Sequence, residues 1–363
     1  MPQQLRVLYE GEVNMGASAY DTLPMPAKPW KWCHSESYQG NPWRVALTNE
    51  LRRLVDLYKS KGWVSGFELS DSNGDTSRQI SQVRAFIDKK CSIITAVPGS
   101  ATGLNDAIAA SYKADIPFVT ISASVTSPYA INVDSNYTRW GYDMMHAIGE
   151  TLGGKGKIIM VEGIPGAPIV AQERTGAEKA LKEFPDLKVL RRVNGNWTAN
   201  VTKTVVLEAL ATTPQKVDAV WTTGSESRVI AEAFAEAGRP APLITGSISG
   251  DALGYWKEHP DRYHFEGNGV LPAWNSQALF RVTVRLLEGQ QPKLNTLLIP
   301  IPVVHGTDLG KWYRPCMTPN SVSVFPVAPE DPMPAQLMDA YFRKPAPIAF
   351  YDYAQMPDPC SAK

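Results

Sequence analysis

Along this chain the spacing of apolar residues switches repeatedly between short runs and helical periodicity. WKWCHS (30–35) is a largely apolar run, and after the turn QGNP the residues Leu47, Leu51, Leu54, Val55 and Tyr58 recur at helical spacing. The first pattern predicts a strand over 30–35 and the second a helix over 42–61. Asn41 is a favourable N-cap, and Pro42 a favourable first helical residue, because its missing N–H would lack a partner there anyway. The alternation continues with strand 64–69, helix 76–90, strand 92–97, helix 103–114 and strand 116–121. A second series runs through helix 137–152, strand 157–162, helix 170–184, strand 187–193 and helix 198–213, then strand 217–222, helix 226–237, strand 242–246, helix 250–258, strand 263–270 and helix 274–288. Strands separated by helices of this length predict parallel sheets in an α/β fold. Two such series predict two doubly wound domains, whose ligands bind at the carboxyl ends of the strands.

The flanks differ. Residues 1–29 read as loop, and 311–363 hold many prolines with Trp312, Tyr313, Phe325, Tyr341, Phe342, Phe350, Tyr351 and Tyr353. That segment is too aromatic for disorder and predicts an extension wrapped over a domain surface. Cys316 and Cys360 bracket it, which predicts a disulfide and hence an oxidising compartment. Cys33 and Cys91 fall on apolar strand positions, where buried thiols are the plainest reading.

Composition adds mainly exclusions. Of 363 residues, 44% are hydrophobic and 20% charged, enough for two ordinary globular domains. Lys plus Arg and Asp plus Glu both number 36, so net charge gives no argument for nucleic acid or an anionic membrane. No apolar run reaches the roughly 18–20 residues of a membrane span. MPQQLRVLYE lacks the basic, apolar, small-residue order of an export leader. GETLGGKG (149–156) has Gly156 where a phosphate loop needs Ser or Thr, and it follows a helix instead of a strand. DSNGDTS (71–77) misplaces Gly74 for a calcium loop and offers Gln82 in place of the bidentate glutamate. No GxSxG or CxxC occurs, and His34, His146, His259, His264 and His305 are scattered. No cofactor, metal or catalytic set is expected.

The order of segments resembles a family, the periplasmic sugar-binding proteins of the ribose/galactose type that serve ABC importers. The resemblance rests on NPW (41–43), SNGDTSRQISQVRAFI (72–87), IPFVTI (116–121), EGIPGAPIVAQERTGAEKAL (162–181), GNWTAN (195–200) and VDAVWTTGSES (217–227). It implies a type I periplasmic binding fold: two lobes joined by three hinge crossings, near Asp134, Val270 and Ile299. The implied lobes are 30–133 with 271–298, and 134–270 with 299–310, leaving 1–29 and 311–363 as extensions. In such proteins aromatic side chains of both lobes cover the C–H faces of a sugar while polar groups bind its hydroxyls. Trp43 and Trp197 match those positions. A tryptophan suits them because it offers a wide, rigid face at modest entropic cost. Arg174 matches the family's arginine, a fixed fork of donors. Asn41, Ser35 and Asp134 complete the expected contacts. In such a fold the first and third strands are neighbours, so Cys33 could also pair with Cys91.

The chain departs from the family pattern at several positions. An Asp-Arg pair is replaced by Ser122-Ala123, and an Asn-Asp pair by Gly224-Ser225. The aspartate of a later strand end is replaced within TGSISG (245–250), the hinge glutamine by Val270, and a second aromatic of the first loop by Arg44. Small hydroxyls at Ser122 and Ser225 thus replace charged acceptors, with Glu226 as a substitute acceptor. This points away from ribose, galactose or glucose and toward a larger, modified or less polar sugar, a polyol or a cyclitol. The expected protein is a monomeric, periplasmic, non-catalytic binder that delivers its ligand to an ABC permease. Two alternatives remain. One is a ligand-responsive regulator or sensor, although 1–29 carries only Arg6 and Lys28 as basic residues and no helix-turn-helix. The other is an enzyme on the same scaffold.

Overall fold

Trp30–Glu36 is buried along almost its whole length, as befits a strand flanked on both sides and covered on both faces. The helix after it starts where local chemistry dictates. Asn41 Oδ1 accepts a hydrogen bond from the Arg44 N–H at 2.9 Å, Pro42 opens the helix, and Leu47, Leu51, Leu54, Val55 and Tyr58 form its buried stripe. The structure, a computed structural model, describes residues 1–10 and 15–361; residues 11–14 of the N-terminal extension and 362–363 of the C-terminal one lie outside the described residues.

In chain order the elements are α1 (Gln3–Arg6), β1 (Trp30–Glu36), α2 (Pro42–Ser60), β2 (Val64–Asp71), α3 (Thr76–Asp88), β3 (Ile93–Val97), α4 (Asn105–Lys113), β4 (Phe118–Ile121) and β5 (Ile131–Asp134). They continue with α5 (Tyr137–Thr151), β6 (Lys155–Glu162), α6 (Pro168–Glu183), β7 (Asp186–Asn194), α7 (Ala199–Ala211), β8 (Ala219–Thr222), α8 (Ser227–Glu236), β9 (Leu243–Ile244), α9 (Gly250–Glu258) and β10 (His264–Asn268). Last come α10 (Pro272–Leu287), β11 (Thr296–Leu298), β12 (Val303–His305), α11 (Leu309–Trp312) and α12 (Ala335–Asp339).

The chain divides into two units. The first is Met1–Asn136, Pro272–Pro300 and Asp331–Gln355; the second is Tyr137–Leu271, Ile301–Glu330 and Met356–Lys363. The first unit has a six-stranded sheet in the order β11-β5-β4-β3-β1-β2, parallel throughout. On one face of it Phe118 of β4 packs with Val83, Phe86, Leu104 and Ile108. On the other, α10 is buried nearly all round, its Ser276 hydroxyl bonded to the Leu47 carbonyl of α2 and its Gln277 to Glu50 at 3.1 Å. The N-terminal extension is pinned here too: the Leu298 N–H donates to the Tyr9 hydroxyl at 3.1 Å, and the Phe118 N–H to the buried Tyr20 hydroxyl at 2.9 Å.

The second unit has a sheet in the order β12-β10-β9-β8-β6-β7. Its strands are parallel except β12, which runs antiparallel to β10, so the all-parallel expectation fails at this edge. Met144, Met145, Ile148, Ile158, Met160 and Trp221 build its core. Two glycines bring α5 and α6 together. A Cβ on Gly176 would lie 1.8 Å from the Thr138 carbonyl oxygen, and one on Gly141 would lie 2.0 Å from that of Glu173.

The sequence pattern does not announce the short strands β5, β11 and β12, which are defined by their pairing with β4, β5 and β10 respectively. Residues 311–363 are not a body of their own: 331–355 belong to the first unit and the rest to the second. Cys316 is bonded to Cys360, and Cys33 to Cys91, with Cα–Cα distances of 5.5 and 6.0 Å. Free thiols at Cys33 and Cys91 are thereby corrected: β1 pairs with β3, which brings Cys91, just ahead of β3, beside Cys33. Among the described residues no helix is long and apolar enough to cross a membrane.

Candidate functional site

Doubly wound sheets open a crevice where the strand order reverses, outside the strands' carboxyl ends. In the first unit that point is β1 and β3; in the second it is β6 and β8.

At the first switch point β1 ends on Ser35 and Glu36, both fully buried. Ser35 Oγ accepts from Gln79 Nε2 at 3.3 Å, and Gln79 also donates to the Val97 carbonyl and accepts from the Gly99 N–H at 2.9 Å. Ser35 therefore ties the ends of β1 and β3 together. Glu36 gathers more partners: Thr48 Oγ1 at 3.2 Å, His34 Nε2 at 3.1 Å and Arg44 at 3.4 Å. Trp43, half-buried in the first turn of α2, has the Arg44 guanidinium 5.9 Å from its ring centre. Asn41, Trp43 and Arg44 thus form the start of α2 just past β1, with Asn41 engaged as the cap and Arg44 meeting Glu36. Ser122 follows β4 with φ +59 and donates to Asn275 Oδ1 at 3.1 Å. Asp134 ends β5, accepting from Ser124 Oγ at 2.6 Å and from the Ser135 N–H at 2.9 Å.

At the second switch point Trp197 follows β7. It is half-buried, and both Asn196 and Trp197 have left-handed backbone, φ +56 and +50. A bulky residue in that region is strained, and surroundings that over-determine it are common where a side chain must be aimed. Here the surroundings are two glycines. A Cβ on Gly163, just past β6, would lie 2.2 Å from Trp197 Cε2, and one on Gly224, past β8, would lie 2.9 Å from Trp197 Cδ1. The indole rests on bare backbone at the ends of the two switch-point strands.

Carboxyl groups gather at the ends of the same strands. Glu226 heads α8 and is buried, with Oε2 over Gly224. Burial pushes its carboxyl up to about 7, and Asp251 adds to this. Glu173, on α6, accepts from Thr223 Oγ1 at 2.9 Å. Burial pushes it up to about 8, with Glu162 and Glu226 adding and the Thr223 hydroxyl opposing. Glu162 ends β6, also buried, and is gripped by both donor edges of Arg174, Nε at 2.9 Å, and by Arg192 at 3.4 Å. The Arg174 fork is therefore directed at Glu162. Asp251 is held by Arg228 at 2.7 Å and by Ser249 at 2.6 Å. Ser225, half-buried, offers its carbonyl to Ser249 Oγ at 3.4 Å. Trp197, Ser225 and Glu226 thus share one strand-end face, with Arg174 reaching it through Glu162.

A model of the periplasmic binding protein domain matches residues 35–261, which span both switch points. The chain belongs to the periplasmic binding protein family. Among its relatives is a xylitol-binding protein of Mycolicibacterium smegmatis, 28% identical over 179 residues, 49% of this chain and 51% of that protein. A galactofuranose-binding protein of Escherichia coli is 25% identical over 171 residues, 45% of this chain and 52% of that one. The chain spans about half the length of the curated relatives it matches. An ABC transporter solute binding protein of Thermobispora bispora superposes with a TM-score of 0.72 at 24% identity, over 80% of this chain and 89% of that one, and so shares the fold. The family and these relatives are binding proteins by name. Glu36, Glu162 and Glu173 escape a sequence reading of this periplasmic binding protein. The one available signal was a glutamate closing an otherwise apolar strand in WKWCHSE and KGKIIMVE.

Proposed function

We propose that this periplasmic binding protein captures a neutral polyhydroxylated ligand, a sugar, polyol or cyclitol, with Trp43 and Trp197 as aromatic contacts, and delivers it to the permease of an ABC importer. The observation that carries the reading is Trp197, kept half-exposed on a floor of two glycines by strained backbone at a switch point. A core tryptophan needs none of these. A sugar or polyol presents C–H faces to such a ring and hydroxyls around its edge. Glu226, with a carboxyl that titrates near neutrality, can donate to one hydroxyl or accept from another. Ser122, Ser225, Asn41 and Asp134 are the further hydroxyl partners of this reading. The xylitol and galactofuranose named for the curated relatives belong to the same ligand class. Two disulfides and the family support a periplasmic location.

A thermal-shift screen with pentitols, cyclitols, furanoses and hexoses tests this. At 100-fold excess over its dissociation constant a true ligand adds about 2.7 kcal/mol of stability. If xylitol, myo-inositol, galactofuranose and the common hexoses all leave the melting temperature unchanged, the reading fails.

A further inference from the structure

The chain passes between its two units at 136/137, 271/272 and 300/301, and then twice more, at 330/331 and 355/356. Those two extra passages lie in the C-terminal extension. The stretch 331–355 is firmly seated in the first unit. Its Asp331 and Asp339 meet Arg281 and Arg285 of α10 at 3.1 and 2.7 Å, and both arginines are almost fully buried. Met333, Met338, Tyr341 and Phe342 are core residues, the Lys293 N–H donates to the Tyr341 carbonyl at 2.8 Å, and the Tyr351 hydroxyl donates to Gln277 at 2.9 Å.

The stretch before it is equally fixed in the second unit. The Gly250 N–H donates to the Val324 carbonyl at 2.8 Å, and a Cβ on Gly254 would lie 2.2 Å from the Thr318 carbonyl carbon. Met317 and Phe325 are buried there. The final stretch is different. Cys360 and Ser361 bond back to Asp358, within the segment itself. The bond from Cys360 to Cys316 fastens this end to the second unit. The disulfide thus closes a covalent ring that starts and ends in the second unit and is seated, in its middle, in the first.

We propose that this closed ring is a tether that limits how far the two units swing apart, and that reducing Cys316–Cys360 releases it. The inference rests on the reading that the units move relative to one another when ligand binds. Hinged proteins absorb such motion in a few crossing residues. A ring whose two halves are anchored on opposite sides of the hinge adds a length limit that three plain crossings lack. Opening the disulfide leaves 331–355 seated and lets 356–361 leave the second unit, removing one of the two added passages. The bond is also the accessible one. Cys316 and Cys360 are half-exposed, whereas Cys33 and Cys91 are 0% and 2% exposed, so a thiol reductant reaches the ring first.

The test uses the full chain with all four cysteines kept, carrying a donor and an acceptor dye on unnatural amino acids at exposed Lys59 and Glu208, one in each unit. Single-molecule energy transfer is recorded without ligand, before and after mild reduction, with peptide mapping to show that Cys33–Cys91 stays closed. A second sample carries Cys316→Ser and Cys360→Ser, and the reduced native chain gives the same readout should that variant not fold. The expected result is a shift to lower mean transfer efficiency and a broader distribution once the ring is open. An unchanged distribution overturns the tether. Xylitol and myo-inositol are then added to the oxidised chain. If the ring-opening shift appears and neither polyol raises transfer efficiency, the tether stands and it is the ligand reading that is weakened. If a polyol does raise it while ring opening changes nothing, the tether falls and the ligand reading stands.

Discussion

Glu173→Gln should make the second unit more stable at alkaline pH and no more stable at acid pH. The native state keeps the Glu173 proton up to about pH 8, whereas the ordinary glutamate value is 4.5. Between those values the native state binds more protons than the unfolded chain, so stability falls as pH rises. Below the unfolded value the contribution is fully present; above about pH 8 it is lost. A full shift of this kind corresponds to about 1.4 kcal/mol for each pH unit crossed, so roughly 3–4 kcal/mol is at stake between about pH 5 and pH 8. Glu226 acts in the same direction over a narrower window, ending near 7. Glutamine has the same shape, stays neutral throughout, and its amide oxygen can still accept the Thr223 hydroxyl. The variant's urea midpoint should therefore match the native one near pH 5 and exceed it near pH 8, by an amount on the order of a few kcal/mol. Parallel midpoint curves across that range would show that Glu173 is charged in the native state and would refute the argument.

Two further outcomes are open to direct measurement. Trp43→Ala and Trp197→Ala should each weaken binding of the polyol or sugar found by the thermal screen by about 2 kcal/mol or more, read by calorimetric titration; unchanged affinity in a folded variant would remove that tryptophan from the site. Gly176→Ala drives a Cβ to 1.8 Å from the Thr138 carbonyl, a rigid backbone atom, and should cost about 1–3 kcal/mol in urea unfolding; an unaffected midpoint would mean that α5 and α6 are not packed this closely.

Where a strand or helix was long enough to show its period, the sequence reading and the structure agree to within a few residues, as over 42–61 against Pro42–Ser60 and 157–162 against Lys155–Glu162. The local cap chemistry at Asn41 and Pro42 was equally legible, because it involves only neighbours in sequence. What escaped was everything set by distant pairing. β11 is a strand only because Thr296–Leu298 lies beside Asn132–Asp134. The double seating of residues 311–363 depends on partners such as Arg281 and Gly254, far off in the chain. The two tryptophans could be placed near strand ends, but not the glycine floor under Trp197, which joins positions 163, 197 and 224. Nothing in the neighbourhood of Arg174 announces that Glu162, twelve residues earlier, engages its fork.

That last pairing has a counterpart in the other unit, and the pair of them bears on the ligand's charge. Glu36 ends β1 and Glu162 ends β6, the inner strand of each switch point, and both are buried. Each is met by an arginine of the helix that follows, Arg44 at 3.4 Å and Arg174 at 2.9 Å. A desolvated carboxylate needs such a partner, or it must take up a proton. Glu173 is instead met by the Thr223 hydroxyl, with Glu162 and Glu226 nearby, and it is this one that burial drives toward the neutral form. Arg44, Arg174, Arg192 and Arg228 are thus matched to carboxylates, and the acid near Trp197 that titrates around neutrality, Glu226, becomes negative as pH rises. Under the proposed reading a phosphorylated or acidic sugar would meet these carboxyls while Arg44 and Arg174 are engaged with their own glutamates. In the proposed reading a neutral ligand avoids that repulsion and still uses the rings, which is why a plain polyhydroxy compound is proposed over a sugar acid or sugar phosphate.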